Sequence, residues 1–184
     1  MSTSVKWSID DYHLMIESGV LNNRSVELIE GEIVKVSPES PLHRFTNDSV
    51  AEYLRKLLQD QAKIFEAHPI TLDNSEPEPD IAVVHLPSSN YLNRHPYPED
   101  IYWLIEISHT TLEDDLNRKK RIYANAGIHE YWIVDLKNTE LIVFRQPFDN
   151  DYKSKDTLSN GTVTPIAFSN ILIEVSKLLN KTNV

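Results

Sequence analysis

The sequence contains no cysteine and only four glycines among its 184 residues. Without cysteine there is no disulfide, thiolate zinc site, iron–sulfur cluster or cysteine nucleophile. The few glycines form no glycine-rich phosphate loop and no dinucleotide fingerprint, and no Gly-x-Ser-x-Gly motif marks a hydrolase serine. The seven histidines show no His-x-x-x-His spacing, so a zinc-protease helix is not supported either. These absences exclude several common classes of enzyme.

Long apolar runs are also missing, and no stretch approaches the length needed to cross a bilayer. Residues 1–10 contain charges and no apolar core, so no signal peptide is predicted. Apolar residues make up 40% of the chain and charged residues 25%, which is typical of a globular protein. We therefore expect one cytoplasmic domain that covers residues 1–184.

Basic residues are few relative to acidic ones: 18 lysines and arginines stand against 28 aspartates and glutamates, so the formal net charge at pH 7 is −10. Tight, non-specific binding to duplex DNA depends on neutralising phosphates, so a broad basic binding face is not expected. A nuclease whose site carries metal ions is still compatible with this charge, because a bound cation reverses the local field. Net charge alone therefore does not decide between these functions.

The alternation of apolar and polar residues predicts one mixed α/β domain with an N-terminal helix and a hairpin. Helices are predicted at residues 9–18, 41–60, 112–126 and 171–179. Strands are predicted at residues 63–66, 70–72, 80–85, 101–107, 129–136 and 140–145. Hairpins are predicted at residues 26–36 and again beyond residue 147. Residues 87–100 are rich in proline, serine and asparagine and are expected to form a long loop.

Glu106 is the most informative residue, because it interrupts the apolar run IYWLIEI at residues 101–107. A strand that is apolar on both faces is typical of the interior of a sheet. A lone carboxylate in such a strand is costly unless it is paired, protonated or bound to a cation. Strand alternation places Glu106 on one face with Leu104 and Tyr102. Some other group must therefore compensate the charge of Glu106.

Asp80 is the first candidate partner, because it opens the preceding strand directly after Pro79. An aspartate at the start of a strand is, by itself, most often a cap or turn residue. If the two strands are neighbours, however, Asp80 and Glu106 converge. Two carboxylates on adjacent strands, with a backbone carbonyl nearby, form an all-oxygen site suited to Mg²⁺ or Mn²⁺.

Lys119 is the second candidate partner, because helical spacing places it in the middle of an inward-facing stripe. The stripe consists of Leu112, Leu116, Lys119, Tyr123 and Ala126. An ion pair with Glu106 or Asp80 would compensate both the buried ammonium and the buried carboxylate. The alternative is a simple helical ion pair with Asp115, one turn earlier. That alternative explains Lys119 but leaves Glu106 unexplained.

The periodicity of their elements predicts that the side chains of His43 and Glu27 also face inward. His43 lies near the start of the helix predicted at 41–60, on the stripe with Val50 and Leu54. A single inward histidine is more often a structural, hydrogen-bonded residue than a ligand. Glu27 alternates with Ile29 and is therefore expected to face inward as well.

The order of an acid, an acid on a buried strand and then a lysine resembles the PD-(D/E)XK nucleases, the restriction-endonuclease-like superfamily. More specifically, the chain is similar to the Uma-type endonucleases. The segments that carry this resemblance are VELIEGE at 26–32, His43, PEPDI at 77–81, LIEIS at 104–108 and the run from 115 to 135. The resemblance covers residues 8–145.

The resemblance implies a restriction-endonuclease-like core, with a mixed central sheet flanked by helices and a site for Mg²⁺ or Mn²⁺. It implies that Asp80 and Glu106 are metal ligands, together with the backbone carbonyl of Ile107. His43 and Glu27 are expected to assist at the same site. The activity that follows from the resemblance is metal-dependent cleavage of phosphodiester bonds in DNA.

The chain departs from the parent motif at one position. The motif places its lysine two residues after the second acid, and Ser108 occupies that position here. The expected substitute is Lys119 on the following helix. Its role would be to orient or activate the attacking water and to stabilise developing negative charge.

Two hypotheses follow from the sequence. The first is a DNA endonuclease, for which a homodimer is one expectation. The second is a non-catalytic binding module in which Asp80, Glu106 and Lys119 form a structural ion network without metal. In that module, the loop at 87–100 would offer a recognition surface. The side chains considered for it are Tyr91, Arg94, His95 and Tyr97.

Overall fold

A six-stranded mixed sheet forms the centre of the computed structural model, which describes residues 4–180. Its strands are β3 (Lys63–Glu66), β4 (Ile81–Val84), β5 (Ile101–Ser108), β6 (Glu130–Asp135), β7 (Glu140–Phe148) and β8 (Asp151–Leu158). They lie side by side in chain order, so β3 and β8 form the two edges. Neighbouring strands are antiparallel except for β5 and β6, which are parallel. The predicted mixed sheet is therefore confirmed.

Two short hairpins accompany the sheet. The first consists of β1 (Val26–Ile29) and β2 (Glu32–Lys35), as predicted. The second pairs β9 (Thr162–Val163) with β10 (Ile173–Glu174). The predicted hairpin beyond residue 147 also exists, but it begins earlier, because β7 continues through Pro147 before the chain turns into β8.

Helices cover both faces of the sheet. They are α1 (Ile9–Glu17), α2 (Pro41–Leu58), α3 (Leu112–Asp114), α4 (Lys120–Asn125) and α5 (Val175–Leu178). Parallel strands need a crossover connection, and the helical segment formed by α3 and α4 provides it between β5 and β6. No helix within residues 4–180 combines the length and apolar character needed to cross a membrane.

The buried side chains form one cluster on each face of the sheet. The first contains Trp103 and Trp132 and packs against α2 and α5. The second contains Tyr123 and Tyr131 and packs the crossover helix α4 onto the opposite face. Burying large apolar side chains on both faces provides most of the stabilisation of such a layered fold.

Four predictions about local structure were wrong. Residues 70–72 form no strand, because the N–H groups of Ile70, Thr71 and Leu72 donate to three unrelated carbonyls and build no ladder. The predicted C-terminal helix at 171–179 shortens to α5, because residues 173–174 pair with β9 instead. The helix predicted at 112–126 is interrupted by a π-helical turn, Asp115–Lys119.

The fourth error concerns Tyr102. It packs against the cluster of Trp103 rather than lying on the face of Leu104 and Glu106. The register between β4 and β5 shifts at Val83 and Val84 and skips Tyr102, so the alternation fails at that residue.

The segment from 87 to 100 is also more ordered than a plain loop. It contains two short 3₁₀ turns, Ser88–Tyr91 and Pro98–Asp100. Arg94 binds the carboxylate of Asp100 and lies over the ring of Tyr97. These contacts join residues within the segment, directly before the start of β5.

Candidate functional site

The acidic cleft is a cavity of about 660 Å³ beside the sheet, bounded by the β1–β2 hairpin, the start of α2 and the α3–π segment. Eight carboxylates line it, together with three lysine or arginine side chains and one histidine. The acids are Glu27, Glu39, Glu78, Asp80, Glu106, Glu113, Asp114 and Asp115, and the basic side chains are Lys35, Arg118, Lys119 and His43. The imbalance gives the cleft a negative field that favours cations. All five site residues predicted from the sequence line this cleft, as does Ile107.

Glu106 lies near the end of β5, and only 2% of its side chain is exposed. The Tyr123 hydroxyl donates a hydrogen bond to its Oε1 at 2.7 Å. The Lys119 ammonium lies 3.0 Å from its Oε2. Burial raises the pKa of Glu106 well above its ordinary value, although the charge of Lys119 opposes that shift. The charge that interrupts the apolar strand is therefore compensated from the crossover helix.

The π turn positions Lys119. A π turn adds one residue to a helical turn, and such turns occur frequently at functional sites. It leaves Lys119 Nζ 3.0 Å from Glu106 and 3.9 Å from Asp115 Oδ1. Burial lowers the pKa of Lys119, but the nearby charges of Glu106 and Asp115 outweigh burial, so the pKa is raised. Lys119 is therefore a firmly protonated cation inside the cleft.

Asp80 stands directly before β4, opposite Glu106. Ile81 pairs with Ile105, so continuing the antiparallel register by one residue brings Asp80 to Glu106 on the same face. Its Oδ2 accepts a hydrogen bond from the Ile107 N–H at 2.6 Å. The two acids are thus held on neighbouring strands, as the sequence predicted.

His43 approaches Asp80 from α2. That helix begins with Pro41, after Ser40, whose hydroxyl accepts from the His43 N–H at 3.2 Å. This cap places the ring in the cleft, where Nε2 lies 3.0 Å from Asp80 Oδ2. Burial lowers the pKa of His43, but the hydrogen bond and charge of Asp80 outweigh it, so the pKa is raised.

Glu27 reaches the cleft from β1 and is 7% exposed. Its Oε1 accepts a hydrogen bond from the Glu78 N–H at 3.0 Å, which fastens the hairpin to the segment that precedes Asp80. Burial raises the pKa of Glu27, and the charge of Lys119 opposes the shift. The predicted inward orientation of Glu27 is therefore observed.

Three acids that line the cleft were not predicted as site residues. Asp115 was considered only as a helical partner of Lys119, yet it is 2% exposed and accepts a hydrogen bond from the Thr111 hydroxyl at 2.8 Å. Glu39 precedes α2 and lies four residues before His43, a spacing that could have indicated proximity. Glu78 faces the cleft beside Glu27, and burial raises its pKa.

The donor chemistry of the cleft fits a hard divalent cation. Asp80 and Glu106 offer carboxylate oxygens on adjacent strands, and oxygen donors suit Mg²⁺ and Mn²⁺. Burial raises the pKa values of four acids in the cleft, namely Glu27, Glu78, Glu106 and Asp115, and the charges of neighbouring carboxylates raise each of them further. A bound divalent cation would relieve this repulsion.

Comparisons with known proteins agree with this geometry. The family model Uma2, described as "Putative restriction endonuclease", matches residues 9–175. A solved structure of a putative nuclease belonging to DUF820 from Anabaena variabilis ATCC 29413 superposes with a TM-score of 0.70. The two chains are 18% identical, and the match covers 94% of this chain and 97% of the other. At that identity the similarity establishes a shared fold. No curated protein matches this chain.

Proposed function

Because the chain belongs to the Uma2 family, whose model matches residues 9–175, we propose that it is a divalent-metal-dependent nuclease that hydrolyses phosphodiester bonds in DNA. The observation that carries this proposal is the meeting of Asp80, Glu106 and Lys119 in the acidic cleft. Three side chains that are distant in sequence converge there, although burying each one is unfavourable alone.

Asp80 and Glu106, with the backbone carbonyl of Ile107, are the proposed ligands of Mg²⁺ or Mn²⁺. When bound, such an ion polarises the scissile phosphate and stabilises developing negative charge. The Ile107 N–H and His43 both bond to Asp80 and so fix the carboxylate in place. Tyr123 does the same for Glu106.

Lys119 is proposed to act as a cation and hydrogen-bond donor. Its raised pKa keeps the ammonium protonated at neutral pH, so it does not act as the base that removes a proton from water. An ammonium at this position orients the attacking water and stabilises charge that develops on the phosphate. Glu27 supports the site by holding the backbone at Glu78.

A cleavage assay with matched variants tests this function. Purified protein would be incubated with supercoiled and linear DNA in the presence of Mg²⁺ or Mn²⁺. Glu106→Gln and Lys119→Met are expected to lower the cleavage rate by about 100-fold or more. The control is Glu99→Gln, which changes an exposed glutamate outside the cleft and should leave cleavage unchanged. Wild-type protein that cuts no nucleic acid with any divalent metal would refute the catalytic proposal.

The second candidate is a non-catalytic binding module with the same fold. One observation favours it, because both oxygens of Glu106 already have protein partners, Tyr123 and Lys119. Calorimetry with Mg²⁺ separates the two candidates. Binding that disappears in Asp80→Ala supports the nuclease, and no binding to the wild type supports the module. Homodimerisation and a cytoplasmic location stay predictions.

A further inference from the structure

Arg118 lies on the π turn, directly before Lys119, and it lines the acidic cleft. It is not among the site residues predicted from the sequence. Burial raises the pKa of Glu27 on β1, and the charges of Lys119 and, more weakly, of Arg118 oppose that shift. The guanidinium of Arg118 is therefore within electrostatic range of the buried acid that the β1–β2 hairpin brings to the cleft.

The guanidinium of Arg118 can form more hydrogen bonds than its neighbours use. An arginine side chain carries five N–H donors in a planar fork. Within residues 4–180, Arg118 makes one side-chain hydrogen bond, from Nη2 to Asp114 Oδ2 at 3.3 Å. Its Nε lies 3.0 Å from Asp114 Oδ1, but this buried N–H is not aligned with the oxygen and makes no hydrogen bond in that part of the chain. Most of the fork is therefore available to another acceptor.

The ion pair between Arg118 and Asp114 is easily exchanged. The two side chains are 41% and 39% exposed and lie four residues apart on the same helical segment. Ion pairs of this kind contribute little to stability, because water and salt screen them. Lys119 differs, since its ammonium contacts Glu106, whose side chain is buried. Arg118 can therefore leave its carboxylate and bind another anion without leaving a buried charge unpaired.

We propose that Arg118 binds a phosphate group of the nucleic-acid backbone, and that it exchanges Asp114 for this phosphate when the substrate enters the acidic cleft. The planar fork of a guanidinium matches two oxygens of a phosphate, whereas an ammonium acts as a point charge. Eight carboxylates repel a polyanion, so a cation that contacts phosphate is needed beside any bound metal. The inference rests on the proposed function, because it takes the substrate to be a nucleic acid.

Binding of the full chain to a fluorescently labelled DNA duplex tests the proposal. Anisotropy would be measured at several salt concentrations in Ca²⁺, which takes oxygen ligands as Mg²⁺ does. Arg118→Gln should weaken binding by about tenfold and reduce the slope of log affinity against log salt concentration by about 1. The loss should be the same for duplexes of different sequence, because a phosphate contact carries no sequence information. Arg118→Lys keeps the charge without the fork, so it should restore the slope but only part of the affinity.

Arg55→Gln is the matched control for these variants. Arg55 is also an exposed arginine with a carboxylate partner, Glu66. It does not line the acidic cleft, and it lies more than three turns beyond His43 along α2. Its substitution should leave both the affinity for the duplex and the salt dependence at the wild-type level.

Asp114→Asn should have the opposite effect, because it removes the carboxylate that competes for Arg118. Glu113→Gln controls for the loss of one negative charge, since Glu113 also lines the cleft but does not contact Arg118. Asp114→Asn should strengthen binding to the duplex by about twofold or more beyond the effect of Glu113→Gln. When Arg118→Gln is already present, the two acid substitutions should have equal effects. A merely structural role of Arg118 would not produce this dependence.

The proposal would be overturned by an Arg118→Gln variant that binds the duplex with the affinity and salt dependence of the wild type. Equal effects of Asp114→Asn and Glu113→Gln in the presence of Arg118 would also contradict it, as would a wild type that binds no duplex. The nuclease function is tested separately. Mg²⁺-dependent cleavage that Glu106→Gln abolishes would support that function even if Arg118→Gln binds DNA normally.

Discussion

At the scale of single residues, the hydroxyl of Tyr123 determines how the carboxylate of Glu106 is held. It donates from the crossover helix to Oε1, while Lys119 approaches Oε2. All three side chains belong to one buried contact, so each depends on the other two. A buried acceptor that loses its donor incurs the full cost of its desolvation.

Tyr123→Phe is therefore expected to lower the free energy of unfolding by about 1 to 3 kcal/mol, because it removes a buried hydrogen bond to a carboxylate. Urea denaturation would measure the change. Tyr152→Phe is a suitable control, since the Tyr152 hydroxyl is buried and has no hydrogen-bond partner in the described part of the chain. That variant should be close to neutral. Equal losses in the two variants would contradict the assigned role of Tyr123.

The sequence predicted which residues meet, but not how they bond. Glu106 and Lys119 were predicted from their unfavourable positions in an apolar strand and an apolar stripe, and their ion pair is present. The bonds from His43 and from the Ile107 N–H to Asp80 were not predicted. Periodicity gives the face of an element on which a side chain lies. It does not give the distance to residues on other elements.

At the scale of elements, the π turn interrupts the crossover helix between α3 and α4. The sequence predicted a regular helix over residues 112–126, and the composition gave no sign of the turn at Asp115–Lys119. Helix propensities describe whether a residue favours a helix, and they do not separate an α turn from a π turn. The register shift between β4 and β5 was not predicted either. It depends on how two strands pair, and the pattern of one strand does not contain that information.

Deleting Asn117 is expected to convert the π turn into a regular α turn. Asp115 and Lys119 then rotate relative to each other about the helix axis. Glu106 and Asp115 lose their contacts with the Lys119 ammonium and are left as buried carboxylates without a cation. The free energy of unfolding should fall by about 3 kcal/mol or more, as measured by urea denaturation. Asn117→Ala changes the same exposed position without altering helix length and should stay within about 0.5 kcal/mol of the wild type. A deletion variant as stable as Asn117→Ala would show that the turn has no such role.

At the scale of the whole molecule, the acidic cleft makes stability depend on pH. Burial is the main cause of the raised pKa values of Glu27, Glu106 and Asp115. A carboxyl with a raised pKa binds its proton more tightly in the folded state than in the unfolded state. Its contribution to the free energy of unfolding therefore falls as the pH rises from the unfolded-state pKa, about 4.3 for glutamate, to the folded-state pKa.

The free energy of unfolding of the wild type, relative to that of Glu106→Gln, is thus expected to decrease in metal-free buffer as the pH rises from about 4.3, the unfolded-state value, towards neutral. Urea denaturation of both proteins at several pH values would measure this difference. Lys119 does not alter the sign, because its raised pKa keeps it charged throughout this range. The exposed control, Glu99→Gln, should show no such trend. A difference that is flat or increases with pH would contradict the raised pKa of Glu106.

The edge strand β8 has a further consequence for the whole molecule. It ends the six-stranded sheet, and Lys153, Lys155 and Asp156 on it are exposed. Charged side chains along a free edge hinder the docking of another strand there, because pairing would desolvate them. Growth of the sheet from copy to copy is therefore disfavoured at this end, which protects the protein against fibre-like aggregation while it folds and at high concentration.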